Sequence, residues 1–138
     1  MDEKVAELTK SWLTKARNDL DTARLISGAP EGHLDTAIYH CQQGGEKALK
    51  ASIAAQALAI QRTHDLKLLL AACINFDPGF SQWIADAKLL APLVSSFRYP
   101  DEAPVAEPTR TEFDEALDAA QRIYDFVLSL LPAETHPT

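Results

Sequence analysis

The chain has 138 residues, 46% of them apolar and 24% charged, a globular mixture with room for one hydrophobic core. Its formal charge of −7 is uneven: residues 1–98 hold 11 basic and 11 acidic residues, while residues 99–138 hold 2 basic and 9 acidic ones. That balance excludes a basic nucleic-acid coat but not a local basic site in the neutral part.

Apolar residues recur at helical spacing along the chain, with no strand-like alternation and no internal repeat. Helix one is expected over residues 3–27, with Val5, Leu8, Trp12, Ala16, Leu20, Ala23 and Ile26 inside, and it stops at Gly28-Ala29-Pro30. Helix two is expected over 32–56, on a stripe of Leu34, Ala37, Ile38, Cys41, Gly45, Ala48, Leu49 and Ser52. Thr63 reads as the N-cap of a short third helix that buries Leu66, Leu69, Leu70 and Cys73. Asp77-Pro78 starts a fourth, with Phe80, Trp83, Ile84, Ala87, Ala91 and Val94 inside; Pro92 should kink or split it near Leu89 or Leu90. Residues 99–110 hold three prolines and three acids and read as an exposed linker. Thr109 and Glu112 then have capping-box spacing for a fifth helix to about Leu131, with Phe113, Ala116, Leu117, Ala120, Tyr124, Val127 and Leu131 inside. The sum is an all-α, up-and-down bundle of four long helices plus one short one, a single domain over 1–131 with a frayed tail at 132–138.

No apolar run approaches the roughly 20 residues of a membrane span. Met1-Asp2-Glu3-Lys4 lacks the start of a signal peptide, so a cytoplasmic home is expected. Cys41 and Cys73 are too few for a disulfide framework or a four-ligand zinc site and read as core residues; no metal or cofactor is expected.

The informative polar residues lie on helix two. Tyr39, Gln43, Glu46 and Lys50 form one row, and His40, Gln43 and Lys47 an overlapping one. Such a face either holds a phosphate and a base edge or is simply solvated. Gly44-Gly45 costs roughly 0.5–1 kcal/mol per glycine in a helix interior, which close helix packing would offset. Asp19, at the edge of the first stripe, needs a cationic partner such as Lys15 or a Lys or His of helix two. His64-Asp65 at a helix start suits an anion or a proton, and Arg98 is a natural phosphate clamp.

Four segments carry a resemblance: WLTKARNDL (12–20), AIYHCQQGGEKALKA (37–51), THDL (63–66) and Arg98-Tyr99-Pro100. In this order they resemble a HEPN domain over nearly the whole chain, although Gly44-Gly45 stands where the family more often has residues such as alanine. The resemblance implies a bundle like the substrate-binding half of kanamycin nucleotidyltransferase and a homodimer with a cleft between subunits. It also implies a partner, a minimal nucleotidyltransferase, in a toxin–antitoxin or two-component setting.

Many HEPN proteins are metal-independent ribonucleases marked by an arginine followed, after four to six residues, by a histidine. No arginine here satisfies this: eight residues separate Arg24 from His33, one separates Arg62 from His64, Arg98 and Arg110 have no histidine in reach, and His136 is too far from Arg122. The leading expectation is therefore a non-catalytic HEPN-type protein that binds a nucleotide or polynucleotide end, or serves as the transferase's substrate-binding partner. Lys47, Lys50 and Arg98 would take phosphate, and His40, Gln43, His64 and Tyr99 base or sugar; Asp19, Glu46 and Asp65 would be structural. The alternatives are a divergent ribonuclease toxin, in which His64 would meet Arg98, and a purely structural dimeric interaction module.

Overall fold

In the computed structural model, which describes residues 1–101 and 103–138, five α-helices make the molecule, with no strand among the described residues. Asp2 caps the first by accepting from the Lys4 amide at 2.7 Å, and α1 runs Glu3–Gly28. Its buried face is Thr9, Leu13, Ala16, Asp19, Leu20 and Ala23, rotated from the expected stripe: Leu8 is 49% exposed and Leu13 is inside. Thr9 can occupy a core position because its hydroxyl donates to the Val5 carbonyl at 2.7 Å.

The second helix, α2 (Leu34–Ala55), is the axis of the bundle. Helix α1, α3 (Leu66–Phe76), α4 (Ile84–Leu90) and α5 (Arg110–Leu130) all pack on it. From Cys41 to Ala54 only Lys47 escapes burial, so the expected solvated face of α2 does not exist. Gly44 and Gly45 are the close approaches that allow this. A Cβ on Gly44 would lie 2.7 Å from Leu20 Cδ2 of α1, and one on Gly45 3.1 Å from Leu90 Cδ1 of α4. A side chain at Gly44 would force Leu20 to shift, and one at Gly45 would press on Leu90.

Helix α3 is capped by Asp65 and not by Thr63. Asp65 accepts from the amides of Lys67 at 2.9 Å and Leu68 at 3.4 Å, while the Thr63 hydroxyl accepts from the Asp65 amide one step earlier. Asp77 and Pro78 start the next helical stretch as expected, but its first two turns, Pro78–Trp83, are 3₁₀. Pro92 ends α4 at Leu90, and a second 3₁₀ segment, Ala91–Val94, follows. The tightened winding turns Leu90 and Leu93 inward and leaves Ile84 44% exposed. Phe80, Phe76, Trp83 and Phe126 pack edge to face where these elements meet α5.

Residues flanking 102 form an exposed connector with Pro108 buried; Glu102, one of its expected acids, lies outside the described residues. The capping box is complete: Thr109 Oγ1 accepts from the Glu112 amide at 3.0 Å, and Glu112 Oε1 from the Thr109 amide at 2.9 Å. Phe113, Ala116, Ala119, Ala120, Ile123, Tyr124 and Val127 bury the inner face of α5.

The tail is docked instead of frayed. Ala133–Thr135 is a 3₁₀ turn packed on α1 with Thr135 fully buried, and His136 Nε2 lies 3.0 Å from the Leu128 and Leu131 carbonyls at the end of α5. Cys41 and Cys73 are both in the core, where burial pushes each thiol up to about 12. No described helix is long and apolar enough to cross a membrane.

Candidate functional site

Two polar clusters form around α2. They divide between them most of the residues singled out in the sequence.

The first is centred on Asp19 of α1, which is 8% exposed. Its two carboxylate oxygens are used separately: Oδ1 accepts from His40 Nδ1 at 2.8 Å and Oδ2 from Lys47 Nζ at 2.7 Å. One buried carboxylate thus ties α1 to two cationic or protonatable side chains of α2. The anchored histidine is left with Nε2 free of Asp19. That ring borders a hollow of about 340 Å³ lined by Asp35, Thr36, Tyr39, His40 and Arg98. Arg98 is in a turn beyond the 3₁₀ segment, and its amide donates to the Ser95 carbonyl at 3.1 Å. Its guanidinium stacks 3.9 Å from the Tyr39 ring centroid and 5.3 Å from that of Tyr99. Stacking holds the plane of the guanidinium while leaving its N–H edge for hydrogen bonds. Its one hydrogen bond among the described residues is a long one, 3.4 Å to the Val94 carbonyl.

The second cluster is centred on Glu46 of α2, 2% exposed. Glu46 Oε2 accepts from Lys50 Nζ at 3.1 Å and Oε1 from His64 Nδ1 at 2.9 Å. Gln42 and Gln43 complete it: Gln43 Nε2 donates to Gln42 Oε1 at 2.7 Å, and Gln42 Nε2 donates to the His64 carbonyl at 3.1 Å. The Lys50 ammonium also sits 5.4 Å from the Trp12 ring centroid. Buried charges need this degree of mutual satisfaction.

Several expectations change accordingly. Lys50 and Gln43, expected at a ligand, are 7% and 6% exposed and engaged inside the bundle. Lys47 is half-buried and committed to Asp19. His64 and Arg98, which a ribonuclease reading would bring together, line different hollows; the arginine's neighbour is His40. Asp65 serves as a helix cap. The sequence reading passed over Gln42, fully buried at the centre of the second cluster, and Asp35 and Thr36 in the Arg98 hollow. Only for Gln42 was there a signal, its position four residues from Ile38 and three from Gly45 on the core stripe.

The comparisons with known proteins converge. The structure of TT1696 from Thermus thermophilus superposes with a TM-score of 0.81 at 32% identity, covering 91% of this chain and 99% of that one. ST0689, described as an archaeal HEPN homologue, gives a TM-score of 0.70 at 28% identity, covering 88% of this chain and 96% of the other. No match is found among curated proteins. The HEPN domain family model matches residues 9–130, which takes in every residue of both clusters. The chain therefore belongs to the HEPN domain family.

Proposed function

We propose that this chain is a non-catalytic, cytoplasmic HEPN-type protein that binds a nucleotide or a polynucleotide end in the Arg98 hollow. The observation that carries the reading is the guanidinium of Arg98, stacked 3.9 Å from Tyr39 at the edge of a hollow that also presents His40. A planar cation with a free donor edge matches phosphate. His40, turned by its bond to Asp19, offers Nε2 as a second donor when both ring nitrogens carry a proton. Asp35 and Thr36 in the same wall suit the hydroxyls of a ribose, and the exposed Tyr99 offers a face for a base. Lys47 acts here through Asp19, by holding the carboxylate that orients His40.

A homodimer and a minimal nucleotidyltransferase partner, in the toxin–antitoxin or two-component setting, belong to the same proposal; the acidic segment 99–138 supplies a surface that a basic partner would recognise. Calorimetric titration with ATP, AMP and a short RNA tests the reading. Binding is expected in wild type and is expected to weaken at least about tenfold in Arg98→Ala, the loss of one charged hydrogen-bonding partner. Equal binding in wild type and variant would sink it.

The proximity of His40 and Arg98 to one hollow favours a second reading, a ribonuclease whose imidazole and guanidinium stand in the reverse chain order from the usual signature. A fluorogenic RNA assay without metal decides it: cleavage lost in both His40→Ala and Arg98→Ala replaces the binding protein by an enzyme.

A further inference from the structure

A second hollow, about 500 Å³, opens between the start of α3 and the end of α4. His64, Asp65 and Lys67 form one wall, and Lys88, Pro92 and Val94 the other. It shares no residue with the Arg98 hollow. Three features set it apart from ordinary surface.

The first is the histidine. Its side chain is 65% exposed, yet Nδ1 is tethered at 2.9 Å to a carboxylate that is 2% exposed and is itself held by Lys50. A surface imidazole would normally rotate freely; this one is fixed from behind, with Nε2 left for a ligand. The second is the pair of lysines. Lys67 and Lys88 are exposed, and neither ammonium belongs to an ion pair among the described residues. They lie in the charge-neutral part of a chain whose total is −7. The third is the carboxylate in the wall. Asp65 Oδ1 accepts from the amides of Lys67 at 2.9 Å and Leu68 at 3.4 Å, so this carboxylate is held in place as the cap of α3. On the Lys88 side, Pro92 and Val94 supply an apolar surface.

We propose that this hollow binds a small phosphomonoester, its phosphate shared by Lys67, Lys88 and His64 Nε2 and its organic body against Pro92 and Val94. A phosphate dianion offers three acceptor oxygens, which a carboxylate does not: two for the ammonium groups and one for His64 Nε2–H when both ring nitrogens carry a proton. The volume lies within the range of small-ligand sites. The site stands apart from the nucleotide reading above, and either can fail without the other.

Calorimetry and amide chemical-shift mapping with three probes test it: phenyl phosphate, inorganic phosphate and phenol. Phenyl phosphate is expected to bind most tightly, inorganic phosphate more weakly and phenol not measurably, with shifts that include residues 63–68 and 88–95. The double variant Lys67→Ala/Lys88→Ala, whose side chains are exposed and so not needed for folding, is expected to weaken phenyl phosphate at least tenfold; His64→Gln should weaken it severalfold. Arg110→Ala, an exposed arginine that lines neither hollow, should leave it unchanged. Absence of shifts at residues 63–68 and 88–95 in wild type, or shifts there unaffected in the lysine double variant, overturns the proposal. So do shifts at residues 35–40 and 98 with none at 63–68 and 88–95, which would move the phosphate to the other hollow.

Discussion

The Asp19 and Glu46 clusters are built from the same parts, one carboxylate, one lysine and one histidine each, yet they differ in how much of each part is left over. Around Glu46 the lysine is inside: its side chain is 9% exposed, against 25% for Lys47 beside Asp19. Both clusters hold an imidazole by Nδ1, at 2.8 and 2.9 Å. Their roles diverge because of what surrounds the carboxylate. Glu46 is on the axial helix and is closed in by Gln42, Gln43 and the loop before α3; Asp19 is at the α1–α2 seam, which solvent reaches. The first arrangement buries its lysine, fastens the loop to the bundle and leaves His64 exposed at the α3–α4 hollow; the second leaves both Lys47 and His40 about a quarter exposed, with His40 at the Arg98 hollow.

The comparison breaks most visibly at Glu46. Glu46→Ala leaves the Lys50 ammonium buried without its counter-charge, and a broken buried pair costs about 3–5 kcal/mol. A fall in Tm of more than about 10 °C is expected by calorimetry. A fall of only a degree or two would mean that Lys50 reaches water, and that the two clusters are alike after all.

Gly44→Ala is expected to follow in size. It lies between the clusters, and the added methyl meets Leu20 at 2.7 Å. Overpacking costs about 1–3 kcal/mol, and the gain in helix propensity returns less than about 1 kcal/mol of that. Gly45→Ala, facing Leu90 at 3.1 Å, is the control with a smaller penalty. Urea midpoints of the two variants should fall in that order; the reverse order would show that α4 and not α1 is the tightest neighbour of the axis.

These contacts also explain what the sequence could and could not convey. The Thr109–Glu112 box, the Asp77-Pro78 start and the break at Pro92 are local: each is decided by residues within one turn. The register of α1 is not local, because a threonine that satisfies its own hydroxyl through the Val5 carbonyl is as good a core residue as the leucine beside it. The start of α3 was ambiguous for a similar reason. Thr63 and Asp65 are both good caps; His64, pulled onto Glu46 by its side chain and onto Gln42 by its carbonyl, holds the residues before Asp65 out of the helix. For the candidate site the sequence shows two lysines three residues apart on one helix. Which of them turns inward depends on four neighbouring helices, and no spacing within α2 records that. The hidden Gln42–Gln43–Glu46 network was misread for the same reason: a polar row on an amphipathic helix looks solvated until another element is laid over it.

Asp19→Asn sharpens the comparison from the exposed side. The carboxylate is removed, but Lys47 and His40 can turn to water, so a stability loss of about 1–2 kcal/mol is expected, well short of that for Glu46→Ala. Its functional effect should be larger than its structural one, since His40 loses the anchor that aims it into the Arg98 hollow. Nucleotide affinity should fall severalfold at temperatures where the variant is fully folded. Unchanged affinity would separate His40 from the ligand and leave Arg98 as the sole anchor.

Lys47→Ala is the smallest of the set and the most discriminating. An ammonium with a quarter of its side chain in water contributes about 0.2–1 kcal/mol through such a pair. If Lys47 acts only through Asp19, nucleotide binding should drop slightly, in step with the looser hold on His40, and the drop should vanish in an Asp19→Asn background. If Lys47 contacts phosphate directly, its removal should weaken binding in both backgrounds and lower the salt dependence of the affinity. The double-mutant cycle distinguishes the two because the ion pair is one interaction shared by both residues, whereas a phosphate contact belongs to the lysine alone.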